Sequence, residues 1–287
     1  MMHLSIILIA VGLAILFRQC LFKSHKTWVE RWQQTLTAFL FPSLLMLVTS
    51  LTILCMGHHG TMLWRPVGWI GCHLAFGFLA FAGVIISYLF WQGWISLQQV
   101  RTYPLTTIAG KSGRVIDTPA LFAAQIGFWK PELVVTKGLL QSLNPEQTEA
   151  VLSHEQAHYY YRDTFWFFWL GCIRQLTFWL PNTEILWQEL LLLREIRADR
   201  WAAKRVDALI LAESLLLVVR FRQGGSLRES PLIKARCAAF NDTTTPTRLE
   251  ERIEALLSPD LSDETPSWSW VWLLLSFLPI LTLPFHI

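Results

Sequence analysis

Val151-Leu152-Ser153-His154-Glu155-Gln156-Ala157-His158 is the stretch on which the reading of this chain turns. It has the form HExxH. Its two histidines stand four positions apart, so on a helix both imidazoles project from one face and can reach one metal ion. Such a pair suits zinc, and Glu155 beside it is placed to take a proton from water at the metal. In a chain with 8 His among 287 residues, the pattern would arise by chance in about one sequence in a hundred. Its surroundings therefore have to agree with it.

Upstream they do. Asn144-Pro145-Glu146-Gln147 combines an N-cap residue, proline at the first helical position and glutamine three after the cap, which predicts a helix start. Before it, Arg114-Val-Ile116 and Glu132-Leu-Val-Val-Thr136 are short β-type runs bounded by Gly113, Pro119, Pro131 and Gly138. A strand ahead of such a helix suits peptide-bond chemistry. The free edge expected on Glu132–Thr136 would pair with an extended substrate backbone.

Downstream, Thr164–Leu180 is rich in Trp and Phe, contains Arg174 and ends at Pro181-Asn182. With a return helix carrying Glu184 and Glu189, the expectation is a membrane-dipping hairpin over 164–190. The return helix continues as Leu193-Arg-Glu195-Ile-Arg-Ala-Asp199-Arg-Trp-Ala-Ala203. Zinc on two imidazoles needs a third protein ligand, and Glu195 supplies a carboxylate from a second helix. Asp199, one turn further on the same face, suits the free ring nitrogen of a metal-bound histidine. Of the rest, Leu209–Val219 is apolar, Asn241–Thr247 reads as a loop, and Arg248–Leu257 as a short charged helix with a solvated basic surface.

Composition sets the frame. The chain is 53% hydrophobic, with 15 Trp, 18 Phe and mean hydropathy +0.39. Stretches 36–64, 66–100 and 265–287 carry no Lys, Arg, Asp or Glu. The apolar runs Leu4–Phe17, Leu36–Met56, Val67–Trp91 and Trp268–Phe285 are each read as a membrane crossing, since about 20 apolar residues span a bilayer. The first is followed by its positive charges, unlike a signal peptide. Arg18, Lys23, Lys26 and Arg31 place the first loop in the cytoplasm, leaving the N-terminus outside.

The expected architecture is a mainly α multi-pass membrane protein. Residues 1–94 form a three-span region with a short outer loop at 57–66. Residues 95–266 form a cytoplasmic α+β zinc peptidase domain, and 267–287 a fourth transmembrane helix. The location follows as the cell (inner or plasma) membrane, with the bilayer as a partner. A net charge of +3 gives no reason to expect nucleic acid. The 5 cysteines are odd in number and scattered without CxxC, so no disulfide framework is expected.

The outer face gathers soft donors. Cys55, Met56, His58, His59 and Met62 fall in or beside the outer loop, with Met1-Met2-His3 and His286 on the same side. Thiol, thioether and imidazole together favour copper, so a soft-metal sensing site is expected there.

The pattern Gly127-Phe-Trp-Lys130-Pro131-Glu-Leu-Val-Val, then His154-Glu-x-x-His158-x-x-x-Arg162-Asp163, then Glu195-x-x-x-Asp199 resembles the BlaR/MecR-type membrane metallopeptidases. These are gluzincin-like, with kin among the heat-shock and CAAX-processing membrane proteases. The resemblance covers roughly 100–257 and the plan of spans. It implies that His154, His158 and Glu195 bind one zinc, that Glu155 is the general base, and that Asp199 supports the ligands. It also implies a signalling role in transcription regulation, in which a cytoplasmic BlaI-type repressor is cleaved or lost in response to an outside signal. No penicillin-binding domain is expected after the fourth span, so the resemblance to the antibiotic sensors does not carry a β-lactam signal with it; copper, from the outer donors, is the signal considered. The alternatives are a quality-control or processing protease of the heat-shock type, and a non-catalytic membrane receptor.

Overall fold

In the computed structural model of the chain, residues 2–20, 27–57, 61–62, 65–66, 69–223, 246–258 and 270–285 are described. Three long helices come first: α1 (Met2–Cys20), α2 (Trp28–Met56) and α3 (Trp69–Arg101). Among the described residues these three are long and apolar enough to cross a membrane. Two-residue strands β1 (Thr61–Met62) and β2 (Arg65–Pro66) pair antiparallel between α2 and α3. The fold is mostly helical, with a small sheet and further helices after the apolar ones.

The chain divides into two compact units. One gathers Met1–Leu89, Leu170–Leu190 and Glu264–Ile287; the other gathers Phe90–Trp169 and Leu191–Asp263. In the first, Ala10, Phe41 and Leu45 pack with Phe17 and Leu275, and Ala14 and Met46 pack with Leu180. The expected hairpin is two helices, α6 (Asp163–Leu176) and α7 (Thr183–Ala203), turned at Asn182 with φ +59°. Its part from 170 to 190 belongs to the unit of the apolar helices. The C-terminal run is a short helix, Trp270–Leu275, followed by a 3-10 helix, Leu278–Phe285, rather than one long α-helix. Pro279 and Pro284 each remove a backbone donor there.

The second unit holds a four-stranded sheet in the order β3 (Leu105–Ile108), β4 (Lys111–Ile116), β6 (Glu132–Thr136), β5 (Ala123–Ile126). Ala109 and Gly110 close the β3–β4 hairpin, both with positive φ, as a two-residue turn of this hand requires. β4 and β6 run parallel, and β5 returns antiparallel on β6. Gly127 makes the β5–β6 turn at φ +134°, a conformation closed to other residues, and beyond it Phe128 stacks on Phe165 and Phe168 of α6.

After β6 come α4 (Lys137–Ser142) and α5 (Pro145–Tyr160). α5 starts with the expected capping box, in which the Asn144 side chain accepts from Gln147 N–H and the Gln147 side chain accepts from Asn144 N–H. Leu139, Val151 and Leu152 pack on Leu133 and Val135, which fixes α5 against the sheet. α8 (Ala208–Gln223) and α9 (Pro246–Leu257) complete the unit. Residues 224–245 and most of the predicted loop 241–247 lie outside the described residues.

Candidate metal centre

The helix start sets the register of α5, and register brings His154, Glu155 and His158 to its buried side. α7 crosses them with Glu195. His154 Nε2 and His158 Nε2 are 3.2 Å apart. Glu195 Oε2 lies 3.4 Å from His154 Nε2, and its Oε1 lies 3.7 Å from His158 Nε2. Donors held at ~2.1 Å around a tetrahedral zinc stand about 3.4 Å apart, so this triangle has the size zinc requires.

The chemistry of the donors agrees with their spacing. His154 Nδ1 lies 2.8 Å from Asp199 Oδ1, and His158 Nδ1 lies 2.7 Å from Asp163 Oδ2. Carboxylates only accept, so His158 Nδ1 donates to Asp163 and its Nε2 lone pair faces inward, while the close Asp199 carboxylate favours the same tautomer in His154. Three lone-pair atoms then converge in a buried space. Nothing offsets their repulsion better than a cation, and the residues present fit a metal. Among the described residues, His154, His158 and Glu195 form the one group of three or more such side chains placed to hold an ion.

Charge around the triangle is arranged in pairs. Arg194 Nε and Nη2 donate to Glu195 Oε1 at 2.9 and 2.6 Å. Arg252 Nε and Nη2 donate to Asp199 Oδ2 and Oδ1 at 2.8 and 2.9 Å, and its Nη1 lies 3.5 Å from Glu195 Oε2. Arg197 donates to Asp163 Oδ1 and lies over the Tyr161 ring. Burial alone would raise the Glu195 carboxyl, but Arg194, both histidines and Arg252 outweigh it and hold it well below the usual range. Asp199 is likewise lowered against burial by Arg252 and His154. Burial pulls the His154 imidazolium down, yet the Asp199 and Glu195 carboxylates push it up to about 10 when no metal competes with the proton.

The expected zinc ligands are thus brought together, with Asp199 in its expected place behind His154. Glu155 is buried beside them, and its charge is among those acting on Arg252. Two partners escaped the sequence reading. Asp163 was visible in Arg162-Asp163, but its role depends on Arg162, whose φ of +52° turns the chain sharply between α5 and α6 and brings Asp163 back to His158. Arg252 was read as part of a solvated basic surface. It lies instead with Leu249 and Leu256 on the buried face of α9, and a lone cation on an apolar stripe was the available signal. Tyr159 and Tyr160 are exposed.

One further expectation changes. The strand Glu132–Thr136 has no free edge, because β4 and β5 occupy both sides of it. Among the described strands, β5 forms the sheet edge nearest in the chain to α5. Thr136 N–H donates to Phe122 O, which places the hydrogen-bonded pairs at 122/136, 124/134 and 126/132 and turns the N–H and C=O of Ala123 and Gln125 outward. At the other end of the chain, Cys55 and Met56 are the two of the five expected soft donors whose side chains are described. Cys55 is exposed, while Met56 is buried beside Met2 and Ile6. His58 and His59 lie outside the described residues, and Met62 is described only as backbone of β1.

Comparison with known proteins agrees with the geometry. Residues 112–223 match the family model described as Peptidase family M48. The match takes in the sheet from β4 onward, α5, α7 and α8, and covers about two fifths of the chain. No curated protein and no solved structure matched the chain. The match supports a zinc metallopeptidase of the M48 kind carried by a chain with apolar, membrane-type helices.

Proposed function

We propose that this chain is a membrane-embedded zinc endopeptidase whose catalytic unit faces the cytoplasm and cuts a transcriptional repressor of the BlaI type. One observation carries the chemistry. Two imidazoles and Glu195 converge with their lone pairs inward, each imidazole held from behind by its own carboxylate, and Glu155 adjoins them on the same helix.

His154, His158 and Glu195 would hold the metal. Zinc, when bound, polarises a carbonyl and makes water easier to deprotonate. Glu155 takes the proton from the attacking water and delivers it to the departing amine. β5, the edge strand beyond β6, gives an extended substrate backbone a strand to pair with. Asp199 and Asp163 keep the two imidazoles oriented and their tautomers fixed.

The regulatory role rests on the layout expected from sequence, with basic residues after the first apolar run and a fourth crossing at 267–287. The expected input, copper at Cys55, Met56, His58, His59 and Met62, rests on donor chemistry alone.

One comparison tests the whole reading. Cellular proteins are compared between wild type and Glu155→Ala, with and without added copper. Glu155→Ala should keep its zinc and lose cleavage by about 10²- to 10⁴-fold. Cleavage that persists in a zinc-loaded Glu155→Ala protein sinks the mechanism. Loss of many misfolded membrane proteins, rather than of one repressor, would replace regulation by quality control. A substrate cut equally with and without copper would remove copper as the signal.

A further inference from the structure

The family match ends at residue 223, yet one contact to the metal centre comes from beyond it. We propose that Arg252, on α9, is a positioning residue of that centre: its guanidinium ties the third ligand, Glu195, to Asp199 behind His154, and the site holds its metal tightly only with this arm in place. The proposal takes its metal from the metallopeptidase reading above. The arm itself rests on geometry.

Glu195 and Asp199 lie one helical turn apart on the buried face of α7, and Asp199 is wholly inaccessible. Two like charges so close in a poorly solvated place repel, and without a shared partner their side chains would be pushed apart, away from the imidazoles they face. Arg252 removes the conflict. Its fork meets both oxygens of Asp199, at 2.8 and 2.9 Å, and its remaining nitrogen reaches to 3.5 Å from Glu195 Oε2. A guanidinium keeps its charge when buried and matches a carboxylate edge to edge, which a lysine ammonium does not.

The arm is firmly seated. Leu249 and Leu256 flank Arg252 on the same face of α9 and pack with Leu211, Ala212, Leu215 and Val219 of α8. Ala150 of α5 and Ala202 of α7 belong to the same cluster. The two helices that carry the metal ligands therefore share one apolar core with the helix that carries the arm. A peptidase unit cut at the end of the family match would keep His154, His158 and Glu195 and lose the residue that holds Glu195 and Asp199 in register.

The test uses the full chain in detergent and needs no peptide substrate. Zinc affinity is measured by chelator competition, ligand geometry by the visible spectrum of the cobalt-loaded protein, and folding by thermal unfolding. Arg252→Lys keeps a buried positive charge and should fold. It should bind zinc about ten- to a hundredfold more weakly and shift the cobalt bands. Ile126→Ala, in the separate apolar cluster of Val100, Ile116 and Val134, should lower the unfolding temperature and leave zinc affinity and cobalt bands unchanged. The proposal is overturned if Arg252→Lys binds zinc as wild type does, or if Ile126→Ala weakens zinc as much as Arg252→Lys. Wild-type protein that binds no zinc would overturn the metallopeptidase reading, and this proposal with it.

Discussion

Arg18, in the unit of apolar helices, is fully buried, with its guanidinium against the Thr183 hydroxyl, the carbonyls of Phe39 and Pro181, and the Phe39 ring. Arg252, in the other unit, is almost as deeply buried and meets the carboxylates of Asp199 and Glu195. In the first setting neutral dipoles solvate a cation, and that cation joins α1, α2 and the turn before α7. In the second, Asp163, Glu195 and Asp199 are met by Arg194, Arg197 and Arg252, while Asp163 and Asp199 also face the two imidazoles of the metal centre. A buried arginine is therefore no marker of function by itself. What matters is whether the groups it meets are themselves part of a site.

Substitutions sharpen this contrast, and the largest effects belong to the second setting. Asp163→Asn keeps an oxygen for His158 but removes the charge that Arg197 neutralises. Zinc should be bound about ten- to a hundredfold more weakly, as read by chelator competition. Arg18→Met should leave zinc affinity unchanged and lower stability by about 1–3 kcal/mol, because the acceptors it leaves behind are neutral groups. A change in zinc affinity in Arg18→Met would break the distinction between the two settings.

A half-exposed pair gives the smallest effect. Burial works to raise the Glu132 carboxyl, but Arg114 and Arg101 outweigh it and lower its pKa. A carboxyl lowered on folding stabilises above its ordinary value of 4.5 and loses that contribution as pH falls through the lower folded value. For partly exposed pairs the loss should stay below about 1 kcal/mol. Thermal unfolding between pH 6 and pH 3, roughly the window where carboxylates titrate, should be slightly flatter in Glu132→Gln than in wild type.

What could be read from the chain follows from how local each feature is. The start of α5 is written in four consecutive residues, and the histidine pair in five. Glu195 and Asp199 were legible because an ExxxD pattern after HExxH needs only one more helix to be guessed. The three apolar helices declare themselves by composition. Asp163 required the left-handed turn at Arg162, which no propensity announces for an arginine. Arg252 required the return of a helix 53 residues beyond Asp199 in the chain. β6 was read as a strand from Glu-Leu-Val-Val-Thr, but strand order was not, because β5 reads only Ala-Ala-Gln-Ile and pairing is set by tertiary contacts. The free edge was therefore assigned to the wrong strand.

That edge carries a consequence for what the proposed enzyme selects. A chain that pairs along β5 has to give up its own helix or sheet there first, since an edge strand pairs only with extended backbone. Docking at that edge would therefore disfavour folded domains. The accessible targets are linkers and tails that cost little to straighten. In a repressor that means the hinge between its parts, so a single cut would separate domains without unfolding either one.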